Sequence, residues 1–383
     1  MDIHLNLLKN IYKIIKRLHN RSVITKRREI LRKIEEGQGV DKELDQVNDT
    51  EMVQEISENY TGIHNSRKNK LFMREQIGRK MLNSIFVLSS HNSYLTNYQN
   101  FDFTDTEVII FLLKIGVRCL EFDVYYKDGA LVVGHGTKNI FHDYTVDLDV
   151  LTTNVISLEE IFKIIREYAF GEFSDLPLFI NLELLTRGNE QAHIWICNLI
   201  SKYFSEHLLK EAFFYGGRNL GECRVAELRN KIVFISGRKL GNMDPLKKYI
   251  NGYTYMISDI LRLINVSHLS HVDRDGVDLD RVISPKFILN LSSAEVENEV
   301  VQKIVRNHIA RRGLVRVFPC PGIYTSFSRN FDFGRSMDLG VQFVSLNIQQ
   351  LNHGVEAYLE KFNGSPLLEI IESDRNKKNW FFM

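Results

Sequence analysis

The strongest constraint on the fold of this chain is an alternation of short β-rich runs with longer helical runs between about residues 84 and 364. Such alternation is typical of βαβ units, in which helices connect parallel strands. Eight strands and several intervening helices predict a closed (β/α)8 TIM-type barrel. The predicted strands are 84–89, 117–124, 131–134, 177–183, 231–236, 286–291, 314–318 and 341–347, and the predicted helices are 105–114, 157–170, 189–207 and 295–311.

A doubly wound open sheet is the alternative fold, but no G-x-G-x-x-G run follows a predicted strand, which weakens it. Residues 240–256 contain Asp-Pro and Asn-Gly turn signals and little periodicity, which predicts an irregular connection between two half-barrels. The predicted organisation is an N-terminal helical extension and linker (1–80), a first half-barrel (81–239), the connection (240–256), a second half-barrel (257–364) and a C-terminal tail (365–383).

The N-terminal extension begins with a basic amphipathic segment. Residues 1–33 hold ten Lys or Arg against two acidic residues, and Leu7, Ile11, Ile14 and Leu18 follow one another at helical spacing. One interpretation is a helix that packs on the barrel and exposes its basic face. The other is a helix that lies on anionic lipid.

Composition excludes several classes of protein. The formal net charge of the whole chain is +1, so no general electrostatic field favours nucleic acid. The four cysteines are far apart and form no CxxC pair, which argues against a zinc knuckle or a disulfide framework and fits a reducing, cytoplasmic compartment. The apolar runs are shorter than the roughly 20 residues of a transmembrane helix.

Polar side chains follow the predicted strands at their carboxyl ends, which is where (β/α)8 barrels carry their chemistry. Glu121 and Asp123 are two residues apart and therefore share one face of their strand. In strand order, the polar residues at these ends are His91 and Asn92, Glu121 and Asp123, His135, Glu183, Arg238 and Lys239, Ser292 and Ser293, and Arg316.

The residue types in this set indicate which reaction the site could catalyse. Asn92, Glu121, Asp123 and Glu183 offer oxygen ligands, which suit Ca²⁺ or Mg²⁺ rather than zinc. Two histidines can serve as acid and base near neutral pH. The basic residues beyond them suit an anionic substrate such as a phosphate. Together they predict phosphodiester cleavage assisted by a divalent cation.

At this point the chain resembles the eukaryotic phosphoinositide-specific phospholipases C. The resemblance covers about residues 83–364, which include both catalytic half-barrels, called X and Y in that family. The stretches that carry it, in family order, are SSHNSYLT, GVRCLEFDVY, DGALVVGHG, SLEEIFKIIREYAF, LPLFINLE, RNKIVFISGRKL, LVRVFPCPG, SRNFDF and GVQFVSLNIQ.

The resemblance implies a role for each site residue. His91 stabilises the pentacoordinate phosphate, and His135 protonates the leaving group and then activates water. Glu121 helps to deprotonate the inositol 2-hydroxyl. The implied Ca²⁺ ligands are Asn92, Glu121, Asp123 and Glu183, and the implied substrate-binding residues are Arg238, Lys239, Ser293, Arg316 and Phe318. The implied reaction converts phosphatidylinositol phosphates, above all the 4,5-bisphosphate, into diacylglycerol and inositol phosphates through a cyclic phosphate.

Two residues depart from the family pattern at the headgroup site. Ser236 stands where the family has the first lysine of Lys-Gly-Lys, and Phe318 stands where it has a tyrosine beneath the inositol ring. The segment 137–150 is also longer than the family leads us to expect. The residues that the resemblance assigns to catalysis are therefore all present, whereas those that it assigns to the headgroup are altered.

We expect an enzyme that works at the inner face of a membrane on a phosphoinositide lipid, with no nucleic acid partner. The basic helix and the aromatic residues Tyr98, Phe101 and Phe103 are candidate membrane contacts. Two alternatives stay open: a weakly catalytic lipid-binding or signalling scaffold on the same barrel, and a glycerophosphodiester phosphodiesterase.

Overall fold

The computed structural model describes most of the chain beyond residue 74. The described residues are 75–97, 99, 103–136, 150, 152–170, 174–214, 217–237, 240–241, 243–259, 261, 284–320, 330–350, 353–362 and 365–371. The predicted N-terminal helix, the segment 137–149, and Tyr98, Phe101, Arg238 and Lys239 lie outside them.

Eight parallel strands form a closed barrel, which confirms the predicted fold class. The spatial order is β1, β10, β9, β8, β7, β6, β5, β2, and a β1–β2 pairing at Ser89 and Cys119 closes the ring. The strands in chain order are β1 (Ile85–Ser90), β2 (Cys119–Lys127), β3 (Ala130–Val133), β4 (Ile156–Ser157), β5 (Leu178–Leu185), β6 (Ile232–Ser236), β7 (Ile250–Met256), β8 (Phe287–Ser292), β9 (Leu314–Phe318), β10 (Phe343–Leu346) and β11 (Leu367–Glu369).

Helices occupy the connections between barrel strands. The α-helices are α1 (Thr106–Lys114), α2 (Leu158–Tyr168), α3 (Glu190–Phe204), α4 (Glu299–Ala310), α5 (Gly334–Asp338) and α6 (His353–Phe362). Short 3-10 helices lie at Leu82–Ser84, Ser205–His207, Glu211–Phe213, Leu220–Glu222, Val225–Leu228, Pro245–Lys248 and Ile348–Gln350. None of these helices has the length and apolar character needed to cross a bilayer.

The prediction that residues 131–134 form the third strand of the barrel was wrong. Ala130–Val133 pairs antiparallel with β2, so it forms a hairpin outside the ring. The reason is the turn: Asp128 and Gly129 both have positive φ, as type I′ hairpin turns require, and so short a turn cannot join parallel strands.

The prediction of an irregular connection over 240–256 was also wrong in its second part, because Ile250–Met256 is a barrel strand. The Asn251-Gly252 pair, which resembled a turn, lies inside that strand. A Cβ at Gly252 would meet the Ile288 side chain at 2.8 Å and the Ile235 side chain at 3.2 Å, so glycine is required here by close packing rather than by a turn.

The alternation of side chains along the strands separates two layers of the molecule. Phe86, Leu120 and Ile180 point to the helices and belong to the larger apolar core, whereas Val87, Cys119 and Phe179 fill the inside of the barrel. Moving toward the carboxyl ends, the inward positions become polar: Ser89, Glu121, Asn181, Asn290, Arg316 and Ser345. The polar layer at the carboxyl ends is therefore a continuation of the interior rows of side chains.

Helix α2 shows how local sequence builds the outer layer. Ser157 caps its first turn by accepting a hydrogen bond from the Glu160 amide at 3.1 Å, and two acidic residues follow at the positive end of the helix dipole. Its apolar residues Leu158, Ile161, Phe162 and Ile165 recur at helical spacing and are fully buried.

Candidate active site

The first polar pair is held by the turn that follows β1. Asn92 has φ of 45°, a left-handed conformation that asparagine tolerates better than most residues. Ser93 then exchanges two hydrogen bonds with Glu121 on β2: its amide donates to the Glu121 carbonyl and its Oγ accepts from the Glu121 amide, both at 3.0 Å. The turn is thereby joined to the neighbouring strand, and His91 and Asn92 lie at the barrel mouth.

Glu121 is a buried acid that contacts three other side chains of the site. Its Oε2 lies 2.6 Å from Nη2 of Arg316 and 3.7 Å from Nε2 of His91, and its Oε1 accepts a hydrogen bond from Nδ2 of Asn181 at 3.0 Å. Arg316 also donates to Oδ1 of Asn290 at 3.1 Å. A carboxylate and a guanidinium that are both almost fully buried are therefore paired at the centre of the site.

The second acid and the second histidine form another pair. Nδ1 of His135 lies 3.2 Å from Oδ2 of Asp123 and 3.4 Å from Nδ2 of Asn92. His135 reaches the site because β2 extends beyond the barrel and the β3 hairpin returns the chain, with the Gly134 amide donating to the Asp123 carbonyl at 3.4 Å. Glu183 is the register partner of Asp123 on β5 and is half-buried.

An aromatic ring lines the other side of His91. Phe318 lies parallel to the His91 ring within 11°, with centroids 6.2 Å apart, and the Arg316 guanidinium carbon is 5.4 Å from the Phe318 centroid. The Ser293 amide donates to the Phe318 carbonyl at 2.8 Å, and its Oγ accepts from the Cys320 amide at 3.0 Å. Ser293 therefore ties together the segments after β8 and β9.

The groups around His91 shift its pKa in both directions. Burial lowers the pKa of His91, the Glu121 carboxylate raises it, and the Arg316 guanidinium lowers it, with the net result below the usual value of 6.5. The neutral imidazole is thus favoured at neutral pH in the unliganded site.

The structure brings together His91, Asn92, Glu121, Asp123, His135 and Arg316 through the contacts above, with Glu183 beside Asp123 in register. Phe103, one of the predicted membrane contacts, is half-buried, and its carbonyl accepts a hydrogen bond from the Thr96 amide at 3.0 Å. Within the described part of the chain, no three His, Cys, Asp or Glu side chains stand together in an arrangement that would hold a metal ion.

Four polar residues of the site were missed from the sequence. Asn181 and Asn290 lie two residues before polar strand ends, so the period-two rule could have found them. Gln99 and Asn347 carried no comparable signal. Nδ1 of His91 lies 2.8 Å from Oδ1 of Asn347, and Nε2 of Gln99 donates to the same oxygen at 3.1 Å.

Comparison with known proteins relates this geometry to a family. The family model described as phosphatidylinositol-specific phospholipase C, X domain, matches residues 79–238. The chain is 34% identical over 310 residues to the 1-phosphatidylinositol 4,5-bisphosphate phosphodiesterase delta-3-A of Danio rerio, covering 70% of this chain and 35% of that protein. It is 30% identical over 164 residues to the 1-phosphatidylinositol 4,5-bisphosphate phosphodiesterase 1 of Saccharomyces cerevisiae, covering 43% of this chain and 16% of that protein.

Two solved structures share the fold. The L. pealei PLC21 structure has a TM-score of 0.55 at 17% identity and covers 78% of this chain and 38% of its own, and the S. officinalis PLC21 structure has a TM-score of 0.56 at 18% identity, with 79% and 38% coverage. The chain thus spans about a third or less of the length of the two curated relatives named above. The match over residues 79–238 shows that this part of the chain is a phosphatidylinositol-specific phospholipase C X domain, and the relatives to which the chain is similar are eukaryotic 1-phosphatidylinositol 4,5-bisphosphate phosphodiesterases.

Proposed function

We propose that this chain cleaves the phosphodiester bond of phosphatidylinositol phosphates, releasing diacylglycerol and inositol phosphates. The observation that carries the proposal is the meeting of two histidines, two buried acids and a buried arginine at one barrel mouth. The names of the relatives, 1-phosphatidylinositol 4,5-bisphosphate phosphodiesterases, support this bond and substrate class.

The proposed first step is an attack by the inositol 2-hydroxyl on phosphorus. Glu121 takes the hydroxyl proton, the new P–O bond closes a cyclic phosphate, and the bond from phosphorus to the diacylglycerol oxygen breaks. Protonated His135 gives its proton to that leaving oxygen, while Asp123, 3.2 Å away, orients the ring. His91 and Arg316 face the negative charge that develops on the phosphate oxygens.

The proposed second step opens the cyclic phosphate. Neutral His135 removes a proton from a water molecule and the resulting hydroxide attacks phosphorus. The P–O2 bond breaks, and Glu121 returns the proton it took in the first step to O2, which restores the inositol hydroxyl and the Glu121 carboxylate. We expect His135→Ala to reduce turnover by at least about 10²-fold. His353→Ala is the matched control, because this exposed histidine contacts only Glu356 among the contacts that the structure shows for it. A His135→Ala rate near that of the wild type would exclude the acid–base role.

We also propose that the reaction depends on Ca²⁺. The donors that would hold the ion are Asn92, Glu121, Asp123 and Glu183, which supply hard oxygen atoms from the turn after β1, from β2 and from β5. Because the three acids do not stand together as a metal-binding group among the described residues, binding of the ion would require their side chains to reorient. A bound ion would lower the pKa of the attacking hydroxyl and balance the developing charge. Turnover should be lost in EGTA and restored by Ca²⁺. Turnover that persists in EGTA but is lost in EDTA would assign the site to Mg²⁺ instead.

The proposal also concerns which phosphoinositide headgroup the site binds. Ser236, which occupies a family lysine position, is completely buried, and Phe318 offers a ring without a hydroxyl. Candidate headgroup contacts are Arg238, Lys239, Ser293, Arg316 and Phe318. Product analysis with phosphatidylinositol, its 4-phosphate and its 4,5-bisphosphate, with glycerophosphocholine as the competing substrate class, tests the assignment. Cleavage of glycerophosphocholine alone would refute it.

We propose that the protein acts peripherally at the inner face of a membrane, because its lipid substrate resides there. Residues 1–33, with their excess of Lys and Arg, are the candidate anchor. Sedimentation with liposomes that contain anionic lipid should capture the full chain more strongly than a chain lacking residues 1–33. Equal capture of the two would remove the helix from the proposal.

A further inference from the structure

Three side-chain amides form a row of hydrogen bonds behind the active site. Asn92 donates from Nδ2 to Oε1 of Gln99, Gln99 donates from Nε2 to Oδ1 of Asn347 at 3.1 Å, and Nδ1 of His91 lies 2.8 Å from the same Asn347 oxygen. All three amides are almost fully buried, with exposed fractions of 3% or less. Because buried amides need partners, their orientations are coupled.

The direction of the row determines which nitrogen of His91 carries a proton. Asn347 Oδ1 is an acceptor toward Gln99, so it is also an acceptor toward Nδ1, and the neutral imidazole must carry its proton on Nδ1. Rotation of the Asn347 side-chain amide by 180° would place its NH₂ group next to the NH₂ group of Gln99, so that two donors would face each other without an acceptor. Reversal of all three amides would exchange every donor and acceptor in the row and move the His91 proton to Nε2, so the two arrangements predict opposite tautomers.

The plane and the position of the ring are held by other contacts. The near-parallel Phe318 ring restricts the tilt of the His91 imidazole, and Nε2 lies 3.7 Å from the Glu121 carboxylate. The Asn347 backbone is anchored as well: its amide donates to Oδ1 of Asn330 at 2.7 Å, and its carbonyl accepts from Nδ2 of Asn330 at 3.1 Å. The Asn347 acceptor is therefore fixed relative to β10.

We propose that Gln99 and Asn347 are positioning residues that hold His91 with its proton on Nδ1 and its Nε2 directed into the reaction site. The proposal rests on the proposed function for its catalytic consequence only. With Nδ1–H committed to Asn347, the ring is held with Nε2 directed toward the reaction site and need not rotate between encounter and reaction. The same row joins His91 to Asn92, so the phosphate-facing ring and a proposed calcium ligand share one support.

The direct test is the tautomer of His91. Long-range ¹H–¹⁵N correlation spectra of the histidine side chains of the full chain, recorded near pH 8, distinguish protonated from unprotonated ring nitrogens. The His91 signals are assigned by their loss in His91→Gln. We expect a protonated Nδ1 and an unprotonated Nε2. A proton mainly on Nε2, or an even mixture of the two tautomers, would overturn the proposal.

Variants connect the tautomer to catalysis. Gln99→Leu and Asn347→Leu should both move the His91 signals toward a mixture and lower kcat by roughly 10- to 100-fold, with a smaller change in KM. Asn347→Asp retains an oxygen acceptor for both donors and should recover most of the kcat lost in Asn347→Leu. Gln302→Leu is the matched control, because Gln302 is a similarly buried residue of α4 whose side chain donates to the Val296 carbonyl rather than to a group of the site.

The outcomes separate this proposal from the proposed function. If the wild-type chain cleaves no phosphoinositide yet carries the His91 proton on Nδ1, the amide row stands and the proposed activity fails. If it cleaves phosphoinositides but Gln99→Leu and Asn347→Leu leave both the tautomer and kcat unchanged, the row is packing only and the positioning role is refuted.

Discussion

Replacement of Arg316 by methionine is the most informative perturbation of this site. The guanidinium and the Glu121 carboxylate approach to 2.6 Å, and their side chains are only 2% and 5% exposed. Methionine fills a similar volume but leaves the carboxylate buried without its charged partner. Asn181 still donates to Oε1, so the loss is confined to Oε2.

The expected cost follows from the burial of the pair. Removing one member of a buried ion pair destabilises a protein by about 3–5 kcal/mol, because the remaining charge stays desolvated. With a urea m-value of about 3 kcal/mol/M, the unfolding midpoint should fall by about 1–1.7 M. In the double variant Arg316→Met/Glu121→Gln the buried charge is gone, and about 1–3 kcal/mol should be recovered.

Urea unfolding followed by circular dichroism measures both effects. EGTA should be present, so that no cation replaces the lost guanidinium next to Glu121. Arg218→Met is the matched control: Arg218 contacts Glu227 at 2.5 Å, but the two side chains are 41% and 37% exposed. Because solvent screens such a pair, its loss should cost about 1 kcal/mol or less.

Two results would refute this reasoning. One is a loss for Arg316→Met no larger than that for Arg218→Met, which would mean that the buried carboxylate is hydrated. The other is a double variant as unstable as Arg316→Met alone, which would assign the loss to packing rather than to the uncompensated charge.

Three further predictions concern other parts of the chain. Burial lowers the pKa of His308 from 6.5 to about 4, so between these pH values the unfolded state binds one proton more than the folded state. The free energy of unfolding should therefore decline by about 3 kcal/mol as the pH falls from about 6.5 to about 4. Urea unfolding of His308→Gln should lack this decline. Asp244 accepts a hydrogen bond from the Leu246 amide at 2.9 Å, and its carboxylate lies 2.7 Å from Nδ1 of His193. Asp244→Ala should lower the free energy of unfolding by about 2 kcal/mol in urea, and Asp244→Asn should lower it less because the amide oxygen still accepts. Equal losses for the two variants would contradict a role for this oxygen. Burial raises the pKa of Cys119 and Cys197 to about 12 and that of Cys223 to about 11, whereas Cys320 is exposed. A thiol reagent should therefore modify one cysteine in the native protein and four after denaturation. Rapid modification of more than one cysteine in the native protein would contradict this prediction.

Much of the architecture was readable from local patterns. Strands and helices alternate because each must bury one face against the other layer, and that requirement repeats with a period that the residues display. The four predicted helices are present with ends that differ by a few residues. His91, Glu121, Asp123 and Arg316 could be predicted as neighbours because parallel barrel strands present their carboxyl ends at one mouth.

Local patterns were misleading where one signal had two structural meanings. Asp128-Gly129 is a hairpin turn. Asn251-Gly252 lies within a barrel strand, where the glycine is needed because neighbouring isoleucines leave no room for a Cβ. The difference depends on which strand becomes the neighbour, and that is decided across the barrel rather than along the chain.

By itself, the sequence determined the fold class, the family and the acids, histidines and arginine that meet at the barrel mouth. Only the tertiary structure decided how these groups are paired and oriented. Asn347 is 256 positions from His91, and no periodicity relates the two residues. Their contact exists because closure of the ring places β10 beside β1, which is a long-range consequence of packing all eight strands around one interior.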